Sequence, residues 1–171
     1  MIKAIVYTSA AGHTKEYAEL LGKKTGVKVV ALDEADLESG CEIIYMGWLF
    51  AGNIKGCAKA YKKYTVRALC AVGMAPPSET LTANLSAKNV KDKHTAFFYV
   101  QGGFDLQKLS GLNKFIMSLK AKSIRKNLEA KDSLSPEEKS VLKMVSEGVS
   151  VVQESNLAGI TEWYRTKAEN I

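Results

Sequence analysis

Histidine is nearly missing from this chain, with only His13 and His94, and cysteine stops at three, Cys41, Cys57 and Cys70. An odd cysteine count without C-x-x-C spacing excludes a closed disulfide framework and gives no zinc site; no metal site is expected. Each cysteine lies in an apolar stretch, which predicts a buried thiol. No apolar run approaches the roughly 20 residues needed to cross a bilayer. Met1-Ile2-Lys3 leads straight into a strand, without the regions of a signal peptide, so a cytoplasmic location is expected. The phosphate motifs G-x-x-x-x-G-K-[ST] and G-x-G-x-x-G are both absent, which argues against a nucleoside triphosphate with magnesium. Paired acids of the receiver type are missing after the first strand as well.

The 171 residues suffice for one domain with a proper core, and 46% hydrophobic with 25% charged residues is ordinary globular composition. The net charge of +6 is unevenly spread. From Asp105 to Lys131 seven basic residues (Lys108, Lys114, Lys120, Lys122, Arg125, Lys126, Lys131) face two acids, Asp105 and Glu129, leaving +5 there and +1 elsewhere. Any basic face should therefore be local.

Apolar, β-branched runs alternate with helical patterns. Strands are predicted at Lys3 to Thr8, Val27 to Asp33, Cys41 to Gly47, Val66 to Gly73 and Thr95 to Gln101. Their continuous apolar character marks strands covered on both faces. Helices are predicted over Thr14 to Lys24, Ile54 to Thr65, from Pro136 to near Gly148, and over about Asn156 to Ala168. Ser135-Pro136-Glu137-Glu138 carries the N-cap, first-turn proline and capping box of a helix start. Strand and helix in alternation imply an α/β fold: a doubly wound, five-stranded parallel sheet with right-handed crossovers and helices on both faces. In such sheets ligands bind beyond the carboxyl ends of the strands.

The loop after the first strand is Thr8-Ser9-Ala10-Ala11-Gly12-His13-Thr14. Backbone N–H groups at a helix start, with hydroxyls and a glycine, suit a phosphate. The loop resembles the flavodoxin phosphate loop, which holds the 5′-phosphate of FMN. Ala11 replaces a common hydroxyl residue and His13 a common asparagine, a loss of about 1 kcal/mol if one side-chain hydrogen bond goes. A plain βα turn rich in small residues is the structural alternative. The second loop, "GWLFAGNIKG" from Gly47 to Gly56, resembles the flavodoxin loop that sets an aromatic beside the flavin ring. Trp48, Leu49, Phe50, Ala51, Gly52 and Asn53 are its candidates, with Phe50 the closest positional match and Trp48 its rival. Packing of both rings under a helix is the alternative. The third loop offers Gly73, Met74 and Ala75, followed by Pro76-Pro77, equally readable as a chain-reversing break. The resemblance implies a flavodoxin-like, FMN-binding protein of one domain, 1–171.

Carrier flavodoxins are typically acidic. This chain is basic, with a pI near 9.1, which favours a flavin that accepts electrons. The segment from Gln101 to Lys126 is longer than a plain flavodoxin connection. It resembles, in position and character, the basic insertion of the menaquinone-dependent protoporphyrinogen oxidases; the aromatic-basic motif expected in their second loop is not reproduced by "WLFAGN". A helical insertion at about 103–131 is expected, with Leu112, Phe115, Ile116 and Leu119 at helical spacing among lysines. Residues 112–126 could lie on a membrane surface, cover a hydrophobic substrate, or form a solvated helix on the sheet edge. The expected function is electron transfer through FMN, with a redox partner protein or a small quinone- or porphyrin-like molecule. Alternatives are an oxidoreductase of that type and a flavin-free binding protein of the same fold. Nucleic acid is not an expected partner, because only Phe115 interrupts the basic helix.

Overall fold

The computed structural model describes residues 1–107 and 111–169. Five strands form a parallel sheet in the order β2-β1-β3-β5-β6: β1 (Ala4–Thr8), β2 (Val29–Ala31), β3 (Glu42–Phe50), β5 (Thr65–Gly73) and β6 (Ala96–Gln101). The sixth, β4 (Asn53–Ile54), pairs antiparallel with the end of β3. The predicted α/β, flavodoxin-like parallel sheet is therefore the observed one.

Side-chain alternation splits these strands between two cores. Val6, Ile43, Tyr45, Leu69 and Ala71 face α2 (Cys57–Lys63) through Cys57, Ala60 and Tyr64. Ile5, Ile44, Met46, Cys70 and Val72 face α1 (His13–Thr25) and α6 (Ala158–Glu169) through Tyr17, Leu21 and Ile160. A bulge in β5 steps the pairing from Ile43↔Val66 to Ile44↔Ala68. Arg67 is the extra residue, and it turns out to meet the Glu42 carboxylate at 2.5 Å.

Three local expectations change. The third strand does not end at Gly47 but runs on to Phe50. Ala51 and Gly52 then take positive φ values of 50° and 75°, the two consecutive left-handed residues of a tight hairpin turn. Leu49 pairs with Ile54 and Phe50 with Asn53. The second helix accordingly starts at Cys57, and Ile54 is strand. The unpredicted α3 (Glu79–Asn89) follows the Pro76-Pro77 break, its Ser78 hydroxyl accepting from the Leu81 N–H. Its end latches the hairpin: Asn89 Oδ1 accepts from the Ile54 N–H, Asn89 Nδ2 donates to the Gly52 carbonyl, and Lys88 Nζ donates to that of Ala51.

Beyond β6 lie β7 (Gly103–Phe104), α4 (Gly111–Glu129), α5 (Pro136–Glu147) and β8 (Val149–Ser150). The segment expected as a helical insertion, about 103–131, holds β7 and α4, and α4 is the first arm of a helical hairpin closed at its base by antiparallel β7–β8 pairing. Lys108 lies outside the described residues, as do the side chains of Leu112 and Lys120. The capping box forms as read: Ser135 Oγ accepts from the Glu138 N–H, and the Glu138 carboxylate accepts from the Ser135 N–H. Phe104, Ala121 and Val145 bury a small third core under this hairpin, with Met74, Met117 and Ile124 against it. Among the described residues no helix is long and apolar enough to cross a membrane.

Burial sets the alkaline limit of the fold. It pushes the Cys57 thiol from 9.0 to about 11, the Cys70 thiol from 9.0 to about 12 and the Tyr99 hydroxyl from 10.0 to about 12. Tyr17, Tyr45 and Tyr61 shift upward for the same reason. The unfolded chain releases these protons before the folded one does, so stability falls as pH rises. The stabilisation is complete below about pH 8.5 and is lost between roughly pH 9 and 12. Urea unfolding at pH 10.5 is expected to show at least about 2 kcal/mol less stability than at pH 8. A flat profile across that range would mean these groups are solvated.

Candidate functional site

Four strand ends converge on one hollow of about 510 Å³, partly open to solvent. Ser9, Ala10, Ala11, His13 and Thr14 line it after β1, Trp48 and Leu49 at the end of β3, and Val72, Gly73 and Met74 at the end of β5. Gly102 to Asp105 line it after β6, and Met117 reaches it from α4.

The first loop is shaped by its own hydroxyl. Ser9 Oγ accepts from the Gly12 N–H at 3.1 Å, bending the chain back on itself. Gly12, at φ 93°, is the N-cap of α1, and no side-chain hydrogen bond closes that cap. The first helical backbone bond runs from Glu16 N–H to Gly12 C=O. The N–H groups of the first turn therefore point out of the helix, at its positive dipole end. Thr14 and His13 are buried while Ala10 and Ala11 are half-buried. Thr8 stands apart: its hydroxyl donates to the Lys55 carbonyl at 2.8 Å. Thr8 and Gly12 line a neighbouring hollow with Lys15 and Asp33.

The β3–β4 hairpin divides the second set of candidates. Trp48 and Leu49 reach the main hollow; Phe50, Ala51, Gly52 and Asn53 do not line it. Trp48 and Phe50 share one face of the strand, ring centroids 6.0 Å apart and edge-on. Lys55 Nζ lies 5.8 Å from the Trp48 ring and 5.1 Å from the Phe50 ring, a cation over both aromatics. Asn53 is exposed and its amide donates to the Ala51 carbonyl, within the turn.

Strand β6 fixes the third loop. Tyr99 Oη donates to the Ala75 carbonyl at 2.6 Å and Gln101 Nε2 to the Met74 carbonyl at 2.8 Å. The Gly102 N–H donates to the Gly73 carbonyl. Those three carbonyls are thus engaged within the protein. Met74 lines the hollow through its apolar side chain and Ala75 does not line it. Behind this wall Tyr17, fully buried, donates to the Gln101 carbonyl and accepts from Asn156 Nδ2, both at 2.6 Å. Burial raises its pKa, so the hydroxyl stays protonated as that donor.

The sequence reading did not place Val72, Gly102, Gly103, Phe104, Asp105 or Met117 in the site. The "QGGF" stretch, two glycines after an apolar strand, was the available signal. Met117 had none, because its place depends on how α4 folds back.

Residues 4–132, more than half of the chain, match the family model described as Flavodoxin domain. No curated protein matches the chain at a significant level. With the β2-β1-β3-β5-β6 parallel sheet, that match identifies the chain as a member of the flavodoxin-domain family, which comprises flavin-binding redox proteins in general.

Proposed function

We propose that the hollow holds FMN and that the protein transfers electrons through it. The observation that carries this reading is the meeting of the Ser9–Thr14 loop with Trp48, Leu49, Gly73 and Met74 around one cavity. The residues present fit the group. The first turn of α1, capped by a glycine, sets its N–H groups at the positive end of the helix dipole, and a Cβ at Gly12 would meet nothing within 4 Å. Ser9, Ala10, Ala11, Gly12, His13 and Thr14 would hold the phosphate; Trp48, Leu49, Gly73 and Met74 would border the ring. Bound there, FMN supplies the electron-transfer chemistry, and the chain supplies position and electrostatics. Lys55, held over Trp48, adds positive charge on that side of the cavity, which favours added negative charge on a bound flavin.

A second reading, an oxidoreductase acting on a quinone- or porphyrin-like molecule, is favoured by one feature. The segment after β6 contributes Phe104, Asp105 and Met117 to the cavity wall, and Phe104 and Met117 extend its apolar surface beyond the loops after β1, β3 and β5. The deciding experiment is a visible absorption spectrum of the purified protein before and after FMN addition and desalting. A retained flavin spectrum is expected. A colourless protein after desalting would leave a flavodoxin-shaped binding protein instead. Steady-state turnover of the loaded protein with a soluble quinone then separates oxidoreductase from carrier.

A further inference from the structure

Helix α4 carries two apolar edges, and the fold uses only one. Met117, Ala121 and Ile124 face inward against Phe104, Leu142 and Val145. On the opposite side Phe115 is 62% exposed and Leu119 52%. Single exposed apolar residues are common and need no explanation. Here, however, Phe115, Leu119, Lys122 and Lys126 recur at steps of four, three and four, which places them along one stripe of the helix. All four are exposed. The stripe is apolar in its first half and cationic in its second. Lys114 and Arg125, also exposed, flank it, and the sole acid of α4 is Glu129, its last residue.

We propose that this outer face of α4 is a docking surface for an anionic lipid bilayer. Charge chooses the occupant. A second copy of the chain would bring two cationic stripes together, whereas anionic headgroups complement the lysines. Size points the same way. Two large apolar side chains fall far short of the roughly 800 Å² per partner that a stable protein interface buries. Interfacial lipid binding instead accumulates from a few inserted side chains plus lysines whose stems lie along the acyl boundary. Contact is peripheral, because α4 inserts one edge only. Met117 on the inner edge lines the cavity, so the bilayer and the cavity would sit on opposite sides of one helix, about 10–12 Å across. The inference stands whether or not the cavity holds flavin.

The test is co-sedimentation of the full chain with unilamellar vesicles of pure phosphatidylcholine and of phosphatidylcholine with a third phosphatidylglycerol, at low and physiological salt. Binding to the anionic vesicles and not to the neutral ones is expected, weakening as salt rises. The F115S/L119S variant should partition roughly tenfold less well, and K122Q/K126Q about twenty-five-fold less at low salt, about fivefold per lysine. None of the four residues lines the cavity, so flavin content should stay unchanged in both variants. Circular dichroism checks folding, and the lysine pair carries the test if the serine pair misfolds. Absence of wild-type binding, equal binding to neutral vesicles, or unaltered binding by the variants would overturn the proposal. So would a concentration-dependent dimer in sedimentation equilibrium that F115S/L119S abolishes, since the occupant would then be a second copy.

Discussion

Replacing Gly56 by alanine is expected to destabilise the protein by about 4 kcal/mol, while the same change at Gly12 costs about 1. Both glycines cap helices with positive φ, 76° and 93°, and the left-handed conformation alone costs an alanine roughly 1–2 kcal/mol. The difference is what surrounds them. A Cβ at Gly56 would stand 2.0 Å from Tyr45 Oη, 2.7 Å from Thr8 Cγ2 and 2.9 Å from Leu32 Cδ2. Tyr45 is fully buried, so its ring has nowhere to retreat. Its hydroxyl and that of Thr8 both donate to the Lys55 carbonyl at 2.8 Å. Forcing them apart adds about 1–3 kcal/mol of overpacking and about 1 kcal/mol for a lost buried hydrogen bond. At Gly12 a Cβ meets nothing within 4 Å. Urea unfolding of the two variants checks the contrast. Equal losses would mean that backbone strain, not packing, dominates at both sites.

The second large effect is electrostatic and tests the phosphate end of the cavity. Ala11→Glu should weaken FMN binding by about 3 kcal/mol, roughly 150-fold, because a carboxylate then faces the phosphate dianion at partly screened range. Ala11 is half-buried in the loop and lines the cavity, so its replacement should hardly change folding. Riboflavin, which lacks the phosphate, should lose only a few-fold in affinity to the same variant. Fluorescence titration of both flavins with wild type and variant gives four constants. An equal loss for FMN and riboflavin would show that the loop meets the ring and not the phosphate. The same comparison bears on His13, buried beside Ala11 in that loop. If the phosphate is bound there, His13→Asn should leave FMN affinity within about 1 kcal/mol of wild type.

The parallel strands were legible because each is an apolar run; β1, β3 and β5 are buried on both faces, while the outer β2 and β6 are mostly half-buried. The capping box at Ser135 was legible for the opposite reason: its two hydrogen bonds join residues three apart. The first loop was readable as a helix start with small residues, and Ser9, Ala10, Ala11, His13 and Thr14 do come to the cavity. The end of β3 was not readable. "YMGWLF" is apolar on both sides of Gly47, and the glycine looked like a strand end. What carries the strand on to Phe50 is the Ala51–Gly52 turn, with an alanine where asparagine would have announced it, held by Asn89 from α3. Helix α3 escaped because only Leu85 and Asn89 of its residues are buried, too few for an apolar period; its Ser78 cap was the one local sign.

Composition and local pattern alone thus determined the sheet, its parallel sense, the loops that bear on the site and the uneven placement of positive charge. Those features are set by short-range hydrogen bonding and by which face of each segment avoids water. Tertiary structure decided which loop residues share a cavity. Trp48 and Leu49 were separated from Phe50 to Asn53 by a hairpin register, and Phe104 was brought in by pairing with Val149, 45 positions along the chain. It also decided that α4 spends Met117 and Ala121 on the interior and leaves Phe115 and Leu119 outside. A helical period shows that a stripe exists; only the partner packed against one edge settles which stripe turns inward.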